Sequence, residues 1–339
     1  MYTPKPGRLA LAALTLALLP APPALASLPG ENGRISFARY DDVGFEQIWT
    51  ANPDLTAAEQ LTATPGANNI TSAWAPDGSR IAFDSDRSGL GPNGLPMVDI
   101  FTMKPDGSDL VQLTHDAGFN GEPSYSPDGG RIAFESDRGA LPEQEGIYRM
   151  RTDGTDVQPI VLASEIGALF LQAPKYSPDG RTIAFTAVRR PQQFKRDNLA
   201  GATGAVYLVN SDGSNLRRLT PWGKKTSVDV DWSPDGSMLA FETEFKPGAG
   251  PELYVVRPDG SGLRNLTNNA SLTHKTFEAS SDPAWAPDGS RILFIQAEII
   301  DDAFGLDLWS IRPDGTDMHP VEHTPVWEDQ PAWGSAPPR

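Results

Sequence analysis

Residues 232 to 241 read WSPDGSMLAF, a tryptophan ahead of a Pro-Asp-Gly triplet and a short apolar run. Nearly the same phrase returns as WAPDGSRIAF from Trp74, YSPDGGRIAF from Tyr125, YSPDGRTIAF from Tyr176 and WAPDGSRILF from Trp285. Proline presets φ, aspartate is a polar turn former and glycine accepts positive φ, as a type I turn closing into a bulged hairpin requires. The triplet therefore joins an aromatic strand to an apolar one: Ile81 to Phe83, Ile132 to Phe134, Ile183 to Phe185, Leu239 to Phe241 and Ile292 to Phe294.

A second hairpin follows in each unit. DIFTM, GIYRM, AVYLV, ELYVV and DLWSI run into further Asp-Gly turns at Gly107, Gly154, Gly213, Gly260 and Gly315, and most of these lead to a closing VQLT, RRLT or RNLT. Four antiparallel strands make one blade. The aromatic anchors Trp74, Tyr125, Tyr176, Trp232, Trp285 and Trp333 are spaced by 51, 51, 56, 53 and 48 residues, the range of propeller blades. The sixth anchor, in PAWGS at 331 to 335, is only an innermost strand, and its missing partners are GRISFARY at 33 to 40, QIWTA at 47 to 51 and EQLT at 59 to 62. The expected fold is all-β: a six-bladed β-propeller over residues 27–339, closed by a C-terminal innermost strand that joins the N-terminal strands.

The phrase WSPDG…IAF…D…IY…DG…LT resembles the propeller repeat of the TolB family and of the related propellers that precede the catalytic domain in prolyl oligopeptidase-type peptidases. The resemblance covers residues 33 to 335. It implies a scaffold rather than an activity. TolB also carries an α/β domain ahead of its propeller, for which Ser27 to Asn32 leaves no room; the expectation is a TolB-like propeller without that domain.

Composition narrows the function classes. With 28 Lys plus Arg against 44 Asp plus Glu, the net charge is -16, which opposes binding to nucleic acid or anionic lipid. Lys5 and Arg8, the apolar run Leu9 to Leu19 and the ALA at 24 to 26 read as a secretory signal peptide over residues 1–26. The apolar run is too short to span a bilayer and is followed by Pro20, Pro22 and Pro23. The mature chain is expected to be periplasmic or secreted, monomeric and without stable membrane insertion. It has no cysteine, so neither disulfides nor acylation on cysteine is available. A G-x-S-x-G elbow, an H-E-x-x-H pair and a phosphate-cradling G-x-x-x-x-G-K are all missing from the sequence, and no cofactor is expected.

Both Asp-Gly turns of a blade lie at one end of its strands, so one face of the disc is a turn face. The other, the loop face, carries DSDRSGLGPNGLPMV from Asp84, TAVRRPQQFKRDNLAGATG from Thr186 and NNASLTHKTFEASS from Asn268, irregular connections of the kind that bind ligands. The turn residues Asp77, Asp128, Asp179, Asp235 and Asp288 are assigned to turn chemistry rather than to calcium. On the loop face the residues just before each innermost strand, Thr71, Glu122, Ala173, Asp229, Asp282 and Gln330, ring the mouth of the central channel, with Asp231 and Asp329 close by. Such carboxylates hold a cation or capture a basic segment of a partner, or else are solvated rim charge. His115, His274 and His323 fall in loops feeding innermost strands and are weaker candidates for a metal site, since they share no short ligand spacing. The pairs Asp86–Arg87 and Asp137–Arg138 are read as local salt bridges.

The functional expectation is an exported, non-catalytic binding propeller that engages a protein, peptide or glycan, with a basic ligand favoured by Glu122, Asp229, Asp231, Asp282 and Asp329. The alternative is a carbohydrate-active enzyme, a metal-dependent lyase or a hydrolase, at the channel mouth. Oligogalacturonate lyases resemble this architecture and use a histidine-bound metal.

Overall fold

The computed structural model describes residues 31–91, 94–116, 118–138, 142–189, 203–222, 229–245, 250–268, 277–300, 303–321 and 327–336. The segment read as a signal peptide lies outside them. Blade 1 is β1 (Asn32–Tyr40), β2 (Glu46–Ala51) and β3 (Glu59–Gln60); blade 2 is β4 (Asn69–Trp74), β5 (Ile81–Ser85), β6 (Asp99–Met103) and β7 (Val111–Gln112). Blade 3 is β8 (Asn120–Tyr125), β9 (Arg131–Ser136), β10 (Gly146–Arg151) and β11 (Gln158–Leu162); blade 4 is β12 (Phe170–Tyr176), β13 (Thr182–Arg189), β14 (Thr203–Asn210) and β15 (Arg217–Arg218). Blade 5 is β16 (Val230–Trp232), β17 (Leu239–Thr243), β18 (Glu252–Val256) and β19 (Arg264–Asn265); blade 6 is β20 (Phe277–Trp285), β21 (Ile292–Ile300), β22 (Ala303–Ile311) and β23 (His319–Pro320). The last strand, β24 (Glu328–Ser335), pairs antiparallel with β1 and completes blade 1.

All six sheets are four-stranded, and the innermost strands β24, β4, β8, β12, β16 and β20 touch in sequence until β20 meets β24. The ring is closed, as its repeat spacing predicts. Each Pro-Asp-Gly turn has its glycine at φ between 67 and 71° (Gly78, Gly129, Gly180, Gly236, Gly289), and its aspartate accepts the backbone N–H two residues on. The five aspartates are occupied by turn geometry. The LT signature is also explained. Thr62, Thr114, Thr220 and Thr267 accept the N–H of Ile48, Ile100, Val206 and Leu253 in the third strand, which fastens outer strands only two residues long.

The core lies between blades. The six phenylalanines of the second strands, Phe37, Phe83, Phe134, Phe185, Phe241 and Phe294, are fully buried, and neighbouring blades contribute to shared clusters such as Ile48 with Ile81 and Phe83. At the junction of blades 1 and 2, Gly334 lies so close to Trp74 that a Cβ there would stand 2.7 Å from the indole. Within blade 1, the closing strand β24 is tied to β1 by a part-buried pair, Arg39 to Glu328 at 2.6 Å.

Two expectations are corrected. The loops from Asp84, Thr186 and Asn268 are shorter than read, because β5, β13, β14 and β20 continue into them; antiparallel pairing extends as long as both strands can supply backbone partners. The Asp-Arg pairs are not local ion pairs. Asp86 accepts from Asn68 and Asp137 from the Phe119 N–H. Arg87 stacks 4.7 Å from the Phe101 ring, and Arg138 bonds Asp116. Arginine over a third-strand aromatic recurs at Arg39 on Trp49, a packing use of the charged head.

Candidate functional site

In β8, β12, β20 and β24 the chain carries an extra residue three positions before the aromatic anchor. Glu122, Ala173, Asp282 and Gln330 sit there at φ between 50 and 54°, each followed by proline, and register shifts mark the bulges. A bulge frees its proline from the ladder, where the missing donor would otherwise cost a hydrogen bond. It also leaves the N–H of the preceding residue in need of an acceptor.

Carboxylates supply that acceptor. Asp84 on β5 takes the Thr71 N–H at 3.1 Å and the Glu122 N–H at 2.9 Å. Glu122 takes the Ala173 N–H, Glu242 on β17 takes the Asp282 N–H at 2.5 Å, and Asp329 takes the Gln330 N–H at 2.9 Å. Much of the acid in the channel therefore stitches one blade to the next.

The positions three before each anchor, Thr71, Glu122, Ala173, Asp229, Asp282 and Gln330, all line one cavity of about 20 Å³ on the channel axis, room for one water molecule or one ion. Asp282 is buried, and Glu122 and Asp229 are half-buried; the ring lies within the channel rather than on a solvated rim. Asp229, Glu242 and Asp282 each bring an oxygen to within 4.8 Å of the others, and among the described residues they form the one group of this kind able to hold a metal ion. Asp282 also accepts from the Gln330 amide at 2.8 Å.

Crowding like charges in a poorly solvated channel favours their protonated forms. Burial, then Asp229, pushes the Glu122 carboxyl up to about 8. Burial, then its contact with Asp229, raises Asp282 well above the usual carboxylate range. Asp329 is pushed up to about 6, chiefly by burial, and Glu135 on β9 is raised by burial and by Glu122. Glu122 and Glu135 act on each other's protonation, as do Asp282 and Asp329.

Asp231 does not join this cluster. It lies one residue before its anchor, on the turn-face side, where it lines a separate cavity of about 150 Å³ with Lys175 and the anchors Trp74, Tyr125, Tyr176, Trp285 and Trp333. Burial pushes it up to about 6, Lys175 pulls it back, and it accepts the Trp285 N–H at 2.7 Å. Lys175 lines both cavities. Of the histidine candidates, His115 is exposed, and His274 and His323 lie outside the described residues.

Asp84, Glu135 and Glu242 escape the sequence reading. Their signal is an acid directly after the buried phenylalanine, in IAFD, IAFE and LAFE, where an otherwise apolar strand has no reason to carry charge.

A family model described as a TolB beta propeller domain matches residues 93–202. An uncharacterized protein of Agrobacterium fabrum is 32% identical over 51% of this chain and 54% of its own length. A protein TolB homolog of Chlorobium luteolum is 27% identical over 63% of this chain and 44% of its own. The chain thus spans about half the length of these curated relatives. The crystal structure of TolB from Acinetobacter baumannii superposes with a TM-score of 0.67 at 21% identity, covering 89% of this chain and 66% of that one, a likeness of fold. Among the described residues no helix is long and apolar enough to cross a membrane.

Proposed function

We propose that this chain, a six-bladed β-propeller of TolB type, is an exported binding scaffold whose loop face takes a protein or peptide ligand and draws a basic group of it into the acidic channel. The observation that carries the reading is the convergence of all six pre-anchor positions on one small cavity, three of them carboxylates. On the same face, in the loop connections of blades 1 and 2 and just before β24, Val43, Leu90, Leu95 and Trp327 are 75, 68, 62 and 46% exposed. Exposed apolar side chains on the face that carries a charged opening suit a peptide with one cationic anchor and apolar neighbours.

The test is calorimetric titration with a hexalysine peptide and an uncharged peptide of equal length. Binding of the basic peptide weakens with salt and strengthens as pH rises from about 6 to 8, since cation and protons compete for the same carboxyls. The variant carrying Glu122→Gln, Asp229→Asn and Asp282→Asn keeps its fold and loses the peptide. Equal affinity of parent and variant at low salt overturns the proposal. Metal analysis of the purified protein addresses the lyase alternative, which no histidine among the described residues supports.

A further inference from the structure

Four blades place an arginine at the start of the second strand: Arg34, Arg80, Arg131 and Arg291. In blades 1, 2 and 6 its Nε donates to a hydroxyl that directly follows the third-strand aromatic, on Thr50, Thr102 and Ser310. In blades 2 and 6 the rest of the guanidinium is engaged as well: Arg80 bonds Asp109 through side chain and carbonyl at 2.8 and 2.7 Å, and Arg291 bonds Asp317 in the same way at the same distances.

Blade 3 breaks the pattern. The hydroxyl position is Arg149, so a second guanidinium replaces the acceptor of the first. Among the described residues the Arg131 side chain keeps one hydrogen bond, to Asp156 at 3.1 Å. Arg149 turns to the next blade and gives Nη1 to the Ser211 carbonyl. Its Nε is buried without a hydrogen bond, and among the described residues it has no ion pair. A guanidinium has five N–H donors; with the Arg149 Nε enclosed by protein, the donors left to offer are the outer Nη groups of the two side chains.

They offer them to a cleft. Arg131 and Arg149 line a turn-face cavity of about 310 Å³ between blades 3 and 4, together with Tyr176, Ser126 and the turn aspartates Asp128 and Asp179. Each aspartate has one oxygen committed to its own turn: Asp128 accepts from Ser126 and the Gly130 N–H, and Asp179 from Ser177 and the Arg181 N–H. Tyr176 lines the same cleft as both guanidiniums, and Arg149 and Arg131 oppose the burial that raises its hydroxyl. The volume exceeds that of a bare ion and lies at the lower end for small-molecule sites.

We infer that the cleft between blades 3 and 4 is a second binding site, for a small ligand carrying one oxyanion, a carboxylate or a phosphate, held between Arg131 and Arg149. It is on the opposite face from the acidic channel opening and is independent of the function proposed there. Paired guanidiniums suit such a group because their forked donors match its oxygens, and the adjacent aspartates select against polyanions.

The experiment is calorimetry with inorganic phosphate and, separately, acetate, each against sodium chloride at equal ionic strength, on the full mature chain and on Arg149→Thr, which installs the residue of blades 1 and 2. The parent binds one or both probes saturably in the millimolar range, and the arm that binds identifies the oxyanion. Arg149→Thr lowers that affinity at least about tenfold while its circular dichroism and melting stay those of the parent. Should Arg149→Thr fold poorly, Arg149→Lys keeps the charge without the fork and weakens binding less than any neutral replacement. No saturable binding of either probe by the parent, or equal affinity in a folded Arg149→Thr, overturns the inference.

Discussion

Replacing Glu122 by glutamine removes one of the crowded channel charges and keeps an oxygen for the Ala173 N–H. In the folded chain burial and Asp229 push this carboxyl up to about 8; in an unfolded chain it titrates near 4.3. Between those values the folded state holds a proton that the unfolded state has released. Stability therefore falls as pH rises through the window, and the full penalty is reached above about pH 8. At about 1.4 kcal/mol per unit, Glu122 alone would carry about 5 kcal/mol. Asp229, Asp282 and Glu135 share the repulsion, and the half-buried side chain is screened by the channel solvent, so about 2 kcal/mol is the expected penalty at pH 9. Glutamine is neutral throughout. Glu122→Gln should match the parent near pH 4 and exceed it by about 2 kcal/mol at pH 9, read from urea midpoints at a series of pH values. A difference that does not change with pH, or a variant less stable than the parent at pH 9, would refute the reasoning.

Deletion of residues 327–339 removes β24 and with it the only inner partner of β1, exposing Ile35 and Phe37, both fully buried in the intact ring; cooperative thermal unfolding should be lost, and a truncated chain that melts like the parent would rule out closure by this strand. Gly236→Val forces a β-branched residue to φ 70° and should cost about 1–2 kcal/mol in denaturant titration through backbone strain alone, since an added Cβ meets nothing nearer than Pro178 at 3.7 Å. An unchanged midpoint would mean that the turn relaxes to another geometry.

The number of blades and the turn chemistry were legible in the sequence because each depends on neighbours close in the chain and is written several times over, and the composite first blade followed from the strands missing at one terminus and present at the other. A Pro-Asp-Gly triplet dictates its turn wherever it stands, and counting from Trp74 or Tyr125 locates the strand that faces the axis. The positions three before each anchor could be singled out by that count. What they do there was decided by the ring. Glu122 meets Asp229 from two blades away, and Glu242 meets Asp282 across a blade boundary, only once the blades are set around one axis, so their crowding has no counterpart in local pattern. The same holds for Asp84, whose acid looks misplaced in IAFDS until the bulge of the next blade presents an N–H to it. Asp86 and Arg87, adjacent in sequence, have different partners because β5 ends at Ser85 and the chain turns at Arg87. Arg149 is one more basic residue in GIYRM until the blades are laid over one another and its position proves to be the one where Thr50, Thr102 and Ser310 receive an arginine. Turns and strands follow from short-range sterics and repeat with the sequence, whereas the chemistry of channel and cleft arises from groups on separate strands and blades, brought together by pairing and packing.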